Sequence, residues 1–163
     1  MMVSLIQQMT NALIQIVLFM LLPFIWWFVT ARRKSSFLDW IGFKPLKDTG
    51  NHKMWLWIFL GLLSFTIFSY LVLYTTVKDL KTATSSFAGL GFQALPAVLI
   101  YSLFQTSLPE ELLFRGFLLK RFSVCLSFGI ANTIQAALFG LLHGLMFISE
   151  VSWLQTLVII LCT

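Results

Sequence analysis

The sequence predicts an all-α, polytopic transmembrane helix bundle of four full spans plus a truncated fifth, within a single integral membrane domain at 1–163. Three observations predict it. Of 163 residues, 59% are hydrophobic and only 10% charged, against about 45–50% apolar and about 25% charged in a soluble domain. Mean hydropathy is +0.91. The charges are also clustered: residues 1–31, 54–77, 82–109, 122–149 and 151–163 hold none. A helix needs about 20 mostly apolar residues to cross the hydrocarbon core, and several of these intervals reach that length. So few charges could not cover a water-facing globule.

Span one is read over approximately 11–30, with Pro23 as a kink and Trp26 and Trp27 near its end, where indoles favour the headgroup level. Arg32, Arg33 and Lys34 follow. Phe37, Leu38, Trp40, Ile41 and Phe43 then alternate with polar residues, which suits a short helix lying in the interface. Lys44–Lys53, with Pro45, Gly50 and Asn51, reads as a loop. Span two, approximately 54–77, opens on Trp55 and Trp57 and closes on Tyr70 and Tyr74. The polar, Gly/Ser/Thr-containing stretch Lys78–Gly91 is a second loop. Span three, 92–117, passes through Pro96 and Pro109 into Glu110-Glu111-Leu112-Leu113-Phe114-Arg115, and Lys120 and Arg121 mark its exit. Span four, 124–147, contains Asn132, Gln135 and His143. A fifth apolar segment, 152–163, opens with Trp153 and is too short to cross at about 1.5 Å per residue.

The net charge of +5 does not point to nucleic acid, because the basic residues flank apolar spans instead of forming a binding stripe. Arg32, Arg33, Lys34, Lys44, Lys47 and Lys53 all fall between spans one and two. Cytoplasmic loops carry such an excess. Residues 31–53 are therefore expected inside, the N-terminus outside, Lys120 and Arg121 inside as topological anchors, and Glu150 outside. Cys125 and Cys162 both lie in apolar segments, so they form neither a disulfide framework nor a metal knuckle. The N-terminus lacks the basic region of a cleaved signal peptide. The partners expected are membrane lipids and a membrane-associated peptide or protein substrate.

Charged side chains near the bilayer centre cost at least about 2.5–3.5 kcal/mol on insertion scales and are usually functional. Glu111 and Arg115, four apart, meet on a helix as an ion pair, a pairing that lets two charges be buried together. Glu110 points about 100° away from Glu111 and has no basic residue at i+3 or i+4. Pro109 cannot donate its N–H, so the Gln105 carbonyl is freed just before the acids. On span four, Asn132, Gln135, Phe139 and His143 are spaced three, four and four apart and share a face, expected to look into the bundle; Asn132 and Gln135 read as polar glue between helices. A carboxylate and a neutral imidazole meeting in a wet pocket can share the deprotonation of water. The same pair, Glu110 and His143, supplies two ligands for a metal, one fewer than a catalytic zinc normally takes from protein. No His-Glu-x-x-His is present, Asp39, Asp48 and Asp79 lie in loops, and no serine stands in a Gly-x-Ser-x-Gly elbow. A glutamate–histidine site is what remains.

Glu110-Glu111-Leu112-Leu113-Phe114-Arg115-Gly116-Phe117-Leu118 resembles the first motif, Glu-Glu-x-x-x-Arg, of the CAAX-protease-and-bacteriocin-processing family. Phe139-Gly140-Leu141-Leu142-His143 resembles its second, Phe-x-x-x-His, at the expected distance on the next helix. Trp40-Ile41-Gly42-Phe43-Lys44-Pro45 is similar to a weaker patch between the first helices of bacterial members. The motif-bearing part is approximately 92–147.

The resemblance implies an all-helical intramembrane endopeptidase that cleaves membrane-associated peptides, its site in a cavity opening towards the cytosol. It assigns water activation to Glu110 and His143, with Glu111 and Arg115 in support. It also brings in zinc, since members are often labelled metalloproteases, with Glu110 and His143 as ligands. The family's third motif, His-x-x-x-Asn or a variant, would follow on a later helix, and no histidine follows His143. The chain is therefore expected to be a fragment or a shortened member that does not cleave peptides by itself. The setting expected is a bacterial plasma membrane. The alternative is a non-catalytic membrane protein for bacteriocin self-immunity or sensor scaffolding. A proton-coupled transporter half would explain buried acids but predicts an inverted repeat, and none is seen.

Overall fold

The computed structural model describes residues 5–43, 52–76 and 83–162. All regular structure among them is helical. Helix α1 is Leu5–Thr30, α2 Phe37–Ile41 and α3 His52–Thr76. A continuous helix over 95–122 is α4, Phe128–Phe147 is α5 and Trp153–Cys162 is α6. Three helical stretches are long and apolar enough to cross a membrane: Leu5–Thr30, His52–Val72 and Phe128–Phe147. Their large apolar side chains point outward, Val29 at 77% and Trp57 at 72% exposure among them. Such surface over helices of membrane-crossing length is what a lipid environment covers. The protein is a helical membrane protein.

The expected loop at Lys44–Lys53 lies outside the described residues at 44–51, and that at Lys78–Gly91 does so at 78–82. Past that gap, Ala83–Phe87 and Gly91–Ala94 form short 3₁₀ turns. Between and at them Gly89 (φ 80°) and Gly91 (φ 55°) take left-handed conformations, which cost glycine little.

The chain forms two compact units. One comprises 1–44 and 81–135, the other 45–80 and 136–163. In the first, α1 packs along α4. Helix α1 is described from Leu5, six residues before the expected start, and takes in Gln7, Gln8 and Thr10. Gln8 is buried and the Thr10 hydroxyl donates to the Ile6 carbonyl at 2.9 Å. Pro23 lies fully buried in this helix. Beyond Thr30, the Trp27 indole N–H donates to the Ser35 carbonyl at 3.0 Å and secures the turn into α2.

Helix α2 is written locally. Ser36 caps its start, accepting from the Asp39 N–H at 3.2 Å while its hydroxyl donates to Asp39 Oδ2 at 2.6 Å. Gly42 ends it at φ 98°, and the Phe43 N–H closes onto the Leu38 carbonyl at 2.9 Å. This is the glycine-terminated cap in which a left-handed residue turns the orphan carbonyls inward.

Helix α4 changes winding along its length. Leu95–Leu99 is α, with Pro96 in the first turn where its missing N–H costs nothing. Ile100–Ser107 is π, Leu108–Glu110 α, Glu111–Leu119 π and Lys120–Phe122 α. Pro109 sits fully buried in the α step between the two π stretches. The sequence argument that it breaks the ladder is met by a change of winding within one continuous helix. The expected span at 92–117 thus runs to Phe122.

The second unit contains α3, the C-terminal half of α5, and α6. Thr156 and Ile159 are its buried residues on α6. Gly140 and Gly144 give α6 its close approach to α5: a Cβ on Gly140 would strike the Ile160 carbonyl, and one on Gly144 the Ile160 side chain. Small residues four apart let helices approach where no hydrophobic effect pulls them together.

Candidate active site

The first motif lies on the second π stretch of α4. Single-turn π segments mark functional positions in many helices, and here the change of winding falls between the two acids: Glu110 ends the α step and Glu111 opens the π stretch. The two carboxylates part company as expected. Glu111 lies on the exposed face with Ser107 and Arg115, whereas Glu110 is half-buried.

Glu111 Oε1 accepts from Arg115 Nη1 at 2.8 Å. The pair is not enclosed by protein: its side chains are 65% (Arg115) and 50% (Glu111) exposed at the surface of the helices. The packed side of the π stretch is held by Phe114 and Phe117 instead, at 6% and 4% exposure.

On α5, the expected four-residue stripe is split. Asn132 is exposed, Gln135 is buried at 6%, and Phe139 and His143 are half-buried. The fully buried position beside Asn132 is Ala131. Asn132 therefore does not belong to the inward face, because the small residue packs closer. Gln135 belongs to the first unit and Phe139 and His143 to the second.

His143 is oriented by its own helix. Its Nδ1 stands 3.0 Å from the Phe139 carbonyl oxygen, and its ring lies against that of Phe139, centroids 4.3 Å apart and planes tilted by 46°. A carbonyl can only accept, so Nδ1 carries the proton, and in the neutral ring the lone pair belongs to Nε2. The phenylalanine of Phe-x-x-x-His thus sets both tautomer and ring plane, one through its backbone, the other through its ring.

Sequence reasoning missed the residues that hold the motif helix in place. Lys120 and Arg121, read as topological anchors, contact α2. Lys120 Nζ donates to the Trp40 carbonyl at 3.2 Å and lies against Gly42. The Arg121 guanidinium covers the Trp40 ring at 4.8 Å. Trp40 also meets Phe117 at 5.9 Å, and Phe117 meets Trp26 at 5.9 Å. Gly116 abuts Ile41, since a Cβ there would stand 2.9 Å from the Ile41 carbonyl oxygen. The patch Trp40-Ile41-Gly42 is therefore the docking surface of the first motif. The only sequence signal for this was its co-occurrence with that motif.

A zinc normally takes three protein ligands. Glu111 is engaged by Arg115, and among the described residues no group of three His, Cys, Asp or Glu gathers to hold a metal. Glu110 and His143 by themselves leave the donor set short.

Residues 91–163 match the family model described as Type II CAAX prenyl endopeptidase Rce1-like. This part of the chain is similar to that family. Both motifs, Glu110–Arg115 and Phe139–His143, fall inside the matched residues, so the resemblance read from them holds over that region. The α1–α2 segment that docks onto the motif helix precedes it. No curated protein and no solved structure is similar enough to match the chain.

Proposed function

We propose that this protein is an intramembrane endopeptidase of the CAAX-protease type, cleaving membrane-associated peptides with water activated by Glu110 and His143. The observation that carries it is the state of His143: its Nδ1 proton is committed to the Phe139 carbonyl, which assigns the basic lone pair to Nε2. The Rce1-like match over 91–163 and the engagement of Glu111 by Arg115 support the division of labour. Glu111 is a support and Glu110 the base. In this reading the Glu110 carboxylate removes a proton from water as its oxygen attacks the scissile carbonyl, while His143 Nε2 accepts the water's second hydrogen bond and orients it. The proton held by Glu110 then passes to the departing amide nitrogen.

Orientation follows the charges. Lys120 and Arg121 touch the helix that follows Arg32, Arg33 and Lys34, so five cations gather at one end of the first unit. With the positive side inside, the motif helix ends at the cytosolic face and the N-terminus is outside. Substrates carrying a lipid-anchored tail would reach such a site from the membrane.

The test is cleavage of a prenylated peptide by membranes containing the protein as it occurs in cells, at matched abundance. Loss of cleavage in both Glu110→Gln and His143→Gln is expected. Cleavage unchanged in Glu110→Gln would overturn the assignment.

A further inference from the structure

We infer that the junction of α2 with the end of α4 is a binding surface for anionic phospholipid headgroups, centred on Lys120, Arg121 and Trp40. This does not depend on the protease reading. Among the described residues, five cations, Arg32, Arg33, Lys34, Lys120 and Arg121, stand on the turn before α2 and on the end of α4, with Asp39 on α2 as the acid of that part. The three on the turn after α1 are exposed. Asp39 is itself engaged in capping α2, through the Ser36 hydroxyl at 2.6 Å, so the local field is strongly positive.

The geometry suits a headgroup better than a soluble partner. Arg121 is fixed by stacking on Trp40 at 4.8 Å, and its Nε is buried without an acceptor. A guanidinium held over an aromatic face, with no carboxylate paired to it among the described residues, leaves N–H donors for an incoming anion. Lys120 Nζ caps the C-terminal end of α2 through the Trp40 carbonyl. Beside these cations Leu38 on α2 and Phe43 just past its Gly42 cap are 59% and 62% exposed. Apolar side chains next to clustered basic ones describe an element lying in the interface plane, with acyl chains beneath it and phosphates beside it. A soluble anion would make no use of Leu38 and Phe43. A lipid uses both parts.

Association of spin-labelled phosphatidylglycerol and phosphatidylcholine with the full chain in liposomes tests this, helical content being checked by circular dichroism. The wild type should prefer phosphatidylglycerol several-fold. The preference should shrink at about 1 M salt, where the Debye length is about 3 Å. Each basic residue near an anionic surface is worth about fivefold in association, so Lys120→Gln with Arg121→Gln should lose at least that factor. Arg121→Lys, which keeps the charge but loses the planar stack, should fall between. Equal association of the two lipids with the wild type would overturn the inference, as would a preference unaltered in the folded double variant. Displacement of phosphatidylglycerol by millimolar inorganic phosphate would also overturn it, by showing a phosphate site indifferent to the lipid. Should the double variant not fold, the lipid comparison, the salt series and Arg121→Lys decide.

Discussion

Lys120 Nζ donates to the backbone carbonyl of Trp40 at 3.2 Å, across 80 positions of sequence. The bond joins the last turn of the motif helix to the last turn of α2 and satisfies a carbonyl that the helix end leaves without an internal partner. A hydrogen bond from a charged donor contributes about 1.5–3 kcal/mol. Lys120→Met, which keeps the length and loses the donor, should loosen α2 while α1 stays ordered. Hydrogen exchange of the Trp40, Ile41 and Gly42 amides is expected to accelerate at least about tenfold. Protection equal to wild type would show that aromatic packing alone holds α2.

The exposure of the Glu111–Arg115 pair changes what its loss should do. Breaking a buried pair strands a charge at about 3–5 kcal/mol, whereas an exposed pair contributes about 0–1 kcal/mol. With the side chains 65% and 50% exposed, Arg115→Ala should leave abundance near wild type. Membrane abundance measured by immunoblot checks this, and a several-fold loss would mean that the pair is enclosed in the membrane.

Gly116 and Gly140 are each pressed against a backbone carbonyl, that of Ile41 and of Ile160 respectively. Overpacking such contacts costs about 1–3 kcal/mol. Gly116→Ala and Gly140→Ala should both lower the thermal midpoint in detergent, whereas Gly61→Ala, where a Cβ meets nothing within 4 Å, should not. Equal midpoints for all three would show that the helices part without cost.

Orientation is testable by cysteine labelling in a background lacking Cys125 and Cys162. A cysteine at Ser35 should resist an impermeant reagent added outside intact cells, and one at Gln7 should react. The reverse pattern would invert the topology and put the motif helix exit outside.

Much of this protein is written in short-range patterns. The charge-free runs dictate membrane helices because lipid admits little else. Ser36 and Gly42 mark the ends of α2, Glu111 and Arg115 pair because helical neighbours four apart must meet, and Phe139 precedes His143 by one turn. Each depends only on residues a few positions away, and that is why periodicity and spacing find them. What the tertiary structure decided depends on which surfaces meet. Packing set Gln8 inward on α1, ahead of the expected start of the span. Packing set Ala131 inward and Asn132 outward, and left the Glu111–Arg115 pair at the surface. The winding of α4 changes on either side of Pro109, along the stretch that packs against α1. Lys120 and Arg121, charges that sequence logic assigns to topology, became the fastening of α2, because a contact between residues 40 and 120 has no local signature and exists only once the two helices are side by side.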